Sequence, residues 1–286
     1  MIPAFLNAAS GTADAARTAL SEHGGFAISS VPPAEMQQAV RDAVAAGAQR
    51  ILVAGGDGTI GIAASVLLGT ATELAILPAG TLNHFARDLG LEGDASESLR
   101  VAVEGVARPV DVGLVNDRLF LNTSSVGAYV RFVRVREYLE RRHFSYRVAS
   151  AIAALRILFQ FRRMAVKLEV DGTERIYRTP VVFIGVGQRE LQLPVLGNRV
   201  ANGRDGLHVM VVRGGTRARA LAVGLGAVAR GVTSMSKTPD FDSILVQKCT
   251  ISRRRDGLVA VDGELVRLDA TLEYELRAGA LRVVCP

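Results

Sequence analysis

Short apolar runs and stretches with helical spacing alternate four times over residues 2–90. The runs are IPAFL (Ile2–Leu6), GFAIS (Gly25–Ser29), RILVA (Arg50–Ala54) and ELAILP (Glu73–Pro78). Each is too short for a stable helix and suits a buried, pleated surface. Helical spacing follows from about Thr12, over Pro33–Gly47, over Ile60–Leu68 and over Ala79–Gly90. Strand–helix units in succession imply a parallel sheet covered on both faces. The fourth strand is expected beside the third; pattern alone leaves the rest of the order open.

After about Asp111 the texture changes. DRLFLNTSS, MAVKLEVDG, TERIYRTPVVFIGVG, GLHVMVVRGG, SILVQKCTISR, LVAVDGELV and ATLEYELRAGALRVVCP are short strand-like runs parted by glycine and polar turns. That is the pattern of an antiparallel β domain. Two long helical patterns interrupt it, roughly Val130–Arg163 and Arg217–Val232. The expected division is an α/β domain over 1–112, with 278–286 as a candidate for completing it, and a β-rich domain over 113–277. A chain of 286 residues has room for two.

With 49% hydrophobic residues and a mean hydropathy of +0.25, disorder is excluded. No apolar run approaches the ~18 residues that span a bilayer. The amino terminus lacks the basic and apolar regions of a signal peptide. Cys249 and Cys285 are far apart and form no metal-ligand spacing, which fits a reducing cytoplasm. The net charge of +6 comes almost wholly from arginine, since lysine occurs only at Lys167, Lys237 and Lys248. Such an excess suits RNA, anionic lipid or a phosphate-rich small molecule.

Between the third strand and its helix lies GGDGT. Gly56-Asp57-Gly58-Thr59-Ile60-Gly61 fits G-x-G-x-x-G. Taken alone this is a dinucleotide fingerprint, but that fingerprint follows a first strand and expects an acidic residue at the end of the next one. Here the next strand ends in Leu77-Pro78. The G-x-x-x-x-G-K phosphate loop is absent as well. Glycines and helix-start amides still suit an anion. Asp57 would repel phosphate unless Mg²⁺ mediates or it handles the proton of an attacking hydroxyl. The bland reading makes it a helix cap. Gly80, Thr81 and Asn83 form a second such loop at the same sheet edge, and two neighbouring phosphate-suited loops point to a nucleoside triphosphate.

Three motifs in this order, GGDGT, LPAGTLNHFARDLGL and a late VDGE, resemble the diacylglycerol kinase catalytic-domain family of bacterial lipid kinases, with sphingosine kinases more distant. LNAASG, RPVDVG, FLNTSSVGAYV, GRDGLHVMVV and ALRVVCP also fall in family order, so the resemblance covers nearly the whole chain. It implies a parallel-sheet Rossmann-like α/β domain, related to phosphofructokinase and NAD kinase, plus a carboxyl-terminal antiparallel β-sandwich that takes the lipid. It also implies ATP and Mg²⁺ as cofactors. Phosphates would be lined by Asn7, Ala8, Ala9, Ser10 and Gly11, by Gly55, Gly56, Asp57, Gly58, Thr59, Ile60 and Gly61, and by Gly80, Thr81 and Asn83. Ser30 would replace a nucleotide-contacting threonine.

Glu264 is implied as proton acceptor, with Asp57 as the competing candidate and Asp262 as a further catalytic carboxylate. Asp262-Gly263 also reads as a type I′ hairpin turn that would present Glu264. Asp205 would hold a structural Mg²⁺ with main-chain oxygens near Asn202 and Leu207; an Asp-Gly turn is the equal alternative. The chain departs from the family at His84, where an aspartate is usual, and at Ala8, where a proline is.

From Arg131 to Arg163 nine arginines face only Glu137 and Glu140, interleaved with large apolar residues. The segment reads either as a helix lying on an anionic membrane or as a core-packing helix with a solvated arginine face. Nucleic acid is not expected, because no RNA-binding module is present and aromatics make up only 5%. The expected function is an ATP-dependent lipid kinase in the cytoplasm or on the cytoplasmic membrane face, monomer or homodimer being open. The alternatives are an NAD kinase-like enzyme for a soluble nucleoside or dinucleotide, and a nucleotide-binding membrane regulator with weak or no catalysis.

Overall fold

A computed structural model describes residues 1–91, 93–160, 162–191, 196–200, 203–213 and 241–286. The chain forms two compact units, Met1–Val112 with Arg277–Pro286, and Gly113–Leu276.

The first unit begins with β1 (Ile2–Asn7), α1 (Ala13–His23), β2 (Phe26–Val31), α2 (Met36–Ala45), β3 (Arg50–Gly55), α3 (Asp57–Leu67) and β4 (Glu73–Pro78). Then come α4 (His84–Asp88), α5 (Ala95–Glu104) and β5 (Val106–Val115), whose last residues pass into the second unit. The strands pair in parallel in the order β2-β1-β3-β4, so β4 does lie beside β3. Both faces of this sheet are buried, with Leu6 and Leu52 on one and Leu74 and Ile76 on the other, and the apolar helix α3 buries Ile60, Ala63, Ala64 and Leu67 in the unit's core. Because the chain leaves β1 toward β2 and returns on the other side as β3, the strand order reverses between β1 and β3. A crevice opens at the carboxyl ends of such strands. Helix α5 was not marked by apolar spacing; Asp94 starts it, accepting a hydrogen bond from the Glu97 N–H at 2.8 Å.

The second unit continues with β6 (Arg118–Phe120), β7 (Thr123–Gly127), α6 (Ala128–Glu140), α7 (Tyr146–Phe159), β8 (Met164–Val170), β9 (Thr173–Thr179) and β10 (Val181–Val186). After these come β11 (Arg189–Leu191), β12 (Leu196–Arg199), β13 (Leu207–Val212), β14 (Phe241–Val246), β15 (Lys248–Ser252), β16 (Gly257–Val261), β17 (Glu264–Leu268) and β18 (Thr271–Cys285). An antiparallel sheet runs β14-β13-β10-β7-β16-β17. A second antiparallel group joins the first residues of β18 to β15, β8 and β9. Alternate residues of the two share one core, including Val126, Ile184, Val209, Ile251, Leu272 and Tyr274. This is the sandwich. The buried Tyr274 hydroxyl meets Ser124 Oγ at 3.0 Å, so both polar groups are satisfied.

The closing run is one strand, β18, whose far end belongs to the first unit, where the candidate segment 278–286 was expected, and pairs in parallel with β4 through Val283 and Leu74. Gly279 bends it at φ +58° while its N–H donates to Asp111 Oδ1 at 2.8 Å. The long pattern from Val130 to Arg163 is two antiparallel helices, because the polar RRHFS stretch breaks it and His143 turns at φ +65°. The pattern at Arg217–Val232 lies outside the described residues. Among the described residues no helix is long and apolar enough to cross a membrane.

Candidate active site

In the first unit, three loops leave the carboxyl ends of β1, β3 and β4 and hold one another. Asn7 Nδ2 donates to Thr59 Oγ1 at 3.0 Å, while Asn7 Oδ1 accepts the Ala9 N–H at 2.9 Å. The Thr12 hydroxyl donates to the Ala79 carbonyl at 2.6 Å and lies 2.8 Å from Ser10 Oγ. Gly56 and Gly80 meet backbone to backbone. A Cβ on Gly80 would stand 2.5 Å from Gly56 Cα and 2.8 Å from Asn83 Oδ1. These two glycines are therefore required by the loops' own contact. Gly11 and Gly61 differ, since a Cβ on either meets nothing within 4 Å.

Asp57 completes the clasp. Its Oδ2 accepts the His84 N–H at 3.1 Å and its Oδ1 the Phe85 N–H at 3.0 Å. The carboxylate thus sits on the first amides of α4, the cap reading in an unexpected form: it caps the neighbouring helix rather than its own. Each oxygen keeps a lone pair.

Asn83, at φ +49°, closes a ring with Gly80: its Oδ1 accepts the Gly80 N–H and its Nδ2 donates to the Gly80 carbonyl, both at 2.9 Å. Thr81, Gly58, Gly11, Ala8 and Ala9 are exposed, with Gly61 half-buried. Ile60 is wholly buried and its N–H bonds the Gly56 carbonyl, so it serves the core. Ser30 Oγ, at the end of β2, accepts from Arg17.

In the second unit, β16 and β17 form a hairpin around Asp262 and Gly263, at φ +46° and +86°. Two central residues with positive φ make the type I′ turn that Asp-Gly favours. The Asp262 side chain turns inward. Its carboxylate accepts the N–H groups of Leu121, Asn122 and Thr123 at 2.7, 2.8 and 2.9 Å, and its own N–H donates to the Thr123 carbonyl at 2.8 Å. Burial pushes its pKa up to about 6, against the pull of the three amides and of Arg189. Glu264 points the other way. It is 62% exposed and stands 3.7 Å from the Arg118 guanidinium.

Sequence reasoning passed over three residues nearby. Arg189 is buried, lies against Gly185 and donates from Nε to the Val186 carbonyl at 2.8 Å. Asn122 Oδ1 and Ser125 Oγ are buried without a hydrogen-bond partner. The polar N-T-S-S inside an otherwise apolar run was the signal for the last two.

Asp205 is 73% exposed and 3.3 Å from Arg199; Leu207 starts β13 as a buried residue, and Asn202 lies outside the described residues. No group of three or more His, Cys, Asp or Glu that could hold a metal occurs among the described residues.

A parallel sheet with a loop clasp at its switch point, followed by an antiparallel sandwich, matches known proteins. Residues 3–115 match the diacylglycerol kinase catalytic domain. It is 41% identical over 80 residues to "Diacylglycerol kinase" of Bacillus subtilis (strain 168), which is 27% of this chain and 26% of that one. It is 33% identical over 139 residues to "Diacylglycerol kinase" of Mycobacterium tuberculosis (strain CDC 1551 / Oshkosh), 47% and 45% of the two. A "Probable lipid kinase YegS-like" of Chromohalobacter salexigens is 44% identical over 91 residues, 30% and 29%. These alignments span less than half the length of each relative. A crystal structure of a diacylglycerol kinase from Bacillus anthracis str. Sterne superposes over 100% of this chain and 96% of that one with a TM-score of 0.71; at 19% identity it shares the fold.

Proposed function

We propose that the protein is a lipid kinase that transfers the γ-phosphate of ATP, with Mg²⁺, to a hydroxyl of diacylglycerol or a related membrane lipid. The observation that carries this reading is the loop clasp at the carboxyl ends of β1, β3 and β4. Its exposed amides and small residues suit a polyphosphate, and the open space over Gly11 and Gly61 leaves room for one. The Asp57 carboxylate, fixed on two amides, retains lone pairs suited to Mg²⁺, which usually takes one or two carboxylates plus phosphate oxygens. When bound, that ion neutralises phosphate charge. A second Mg²⁺ at Asp205, with main-chain oxygens near Asn202 and Leu207, belongs to the same proposal.

Phosphoryl transfer asks for positioning and charge stabilisation more than covalent chemistry. Glu264 takes the proton of the attacking hydroxyl, and Arg118 orients it. Asp262 is a positioning residue: its three amide bonds fasten the hairpin that carries Glu264.

The test is transfer of radiolabelled γ-phosphate from ATP in a mixture of total lipid extract with added nucleosides and NAD, with the labelled species identified. Label in a glycerolipid is expected. Label only in a water-soluble nucleoside or dinucleotide would assign an NAD kinase-like activity, and ATP binding with no labelled product would assign a regulator.

A further inference from the structure

Helices α6 and α7 form an antiparallel hairpin on the second unit. Helix α6 buries Val130 and Val133 beside β7, β16 and β17, whereas α7 buries only Ala149 and Ala153. The outer face of α7 carries Val148, Ile152, Leu155 and Phe159, 46%, 40%, 56% and 66% exposed. Their spacing of four, three and four residues sets them in one stripe along the helix. A single exposed leucine needs no explanation, but a continuous stripe of large apolar residues does.

Beside the stripe runs a groove of about 640 Å³ between the helices. Arg131, Arg134, Arg141, Arg156 and Arg162 line it, against one carboxylate, Glu137. Arg131 is committed to the end of α7, donating to the Gln160 and Arg162 carbonyls at 3.1 and 3.2 Å. Arg141 lies 3.8 Å from Glu137. Arg134, Arg156 and Arg162 have no carboxylate partner among the described residues. Guanidinium forks gathered without counter-charge suit phosphate oxygens.

We infer that the α6–α7 hairpin docks on the surface of an anionic phospholipid bilayer, with lipid phosphates in the arginine groove and the α7 stripe among the upper acyl chains. Both halves of the feature are needed for this choice. Basic residues alone would serve a soluble phosphate or RNA, and apolar residues alone would serve a protein. Together on one surface helix they fit a charged interface with an apolar layer beneath it. A second copy of the chain would bring like-charged arginine faces together, which opposes self-association here. The inference stands apart from phosphoryl transfer, because docking needs no nucleotide.

The test is flotation of the full chain, without ATP, on phosphatidylcholine vesicles with and without phosphatidylglycerol. Binding is expected only with phosphatidylglycerol and should weaken as salt rises. Arg134→Glu with Arg156→Glu should reduce partition at least about tenfold, and Leu155→Asn with Phe159→Asn by a similar factor. All four positions are exposed on the helix surface, and circular dichroism with melting checks that the variants fold. Equal binding to both vesicle types, or no effect of either variant pair, would overturn the inference. So would binding of inorganic phosphate or of RNA that both arginine changes abolish while vesicles go unbound. Self-association lost in the Leu155/Phe159 variant without any vesicle binding would reassign the face to a second copy.

Discussion

The GGDGT loop and the VDGE hairpin each set an aspartate on backbone amides, with different consequences. Asp57 is partly exposed, accepts two N–H groups at 3.0 and 3.1 Å and ties together loops of one sheet edge. Asp262 accepts three at 2.7–2.9 Å in a setting where burial dominates and lifts its pKa to about 6. One residue pair further along the hairpin, Glu264 is left exposed beside Arg118. A motif carboxylate can therefore build a site or act in it, and the hydrogen-bond partners tell which.

The sharpest break of this comparison is Glu264→Gln. Removing the proposed proton acceptor should cut turnover by roughly 10²–10⁴-fold, with melting temperature and ATP affinity nearly unchanged. A large loss of ATP binding would make Glu264 a binding residue instead. Asp262→Ala should act the other way round. It leaves three amides without their acceptor and should cost about 3 kcal/mol or more of stability, read from denaturant melts. A variant as stable as wild type would remove Asp262 from the scaffold.

The third expectation concerns pH. Asp262 has an ordinary value of 3.8 and a folded value of about 6, so the folded chain holds this proton more tightly than the unfolded one. Its contribution is fully present below about pH 4 and is lost as pH rises through about 6, on the order of 3 kcal/mol. Thermal melts of wild type compared with Asp262→Asn across that window should show the difference falling; a flat difference refutes the shifted group.

Asp57→Asn replaces one acceptor oxygen by a donor facing an N–H group, so it should cost about 1–2 kcal/mol, the scale of losing a helix cap. It should also weaken ATP binding, read by calorimetry. The smallest effect is at Gly61, where Gly61→Ala has open space and should stabilise α3 by roughly 0.5–1 kcal/mol. If phosphate lies over this loop, the same methyl group should reduce ATP affinity; unchanged affinity would move the phosphates elsewhere.

Much of the frame was readable from local pattern. The strands and helices of the first 78 residues appear where the apolar runs and helical spacing put them, and the Asp262-Gly263 turn follows from its two residues. Other parts escaped. The RRHFS break between α6 and α7 was hidden because both flanks share helical spacing. Helix α5 went unmarked although it buries Leu99, Val101 and Ala102, and its start is fixed by the Asp94 cap. For the two aspartates the cap and turn readings stood beside the chemical ones, because sequence shows a carboxylate but not what it accepts from.

The sequence by itself determined the α/β-then-β order, the glycine loops and the hairpin turn, since these depend on backbone geometry over a few neighbouring residues. Only the tertiary structure decided that Asp57 binds amides 27 and 28 residues away and Asp262 amides 139 to 141 residues away. It alone put the arginine groove beside an apolar stripe. The physical reason is that a hydrogen-bond partner or an exposed face is fixed by where distant segments pack, and side-chain periodicity carries no record of that.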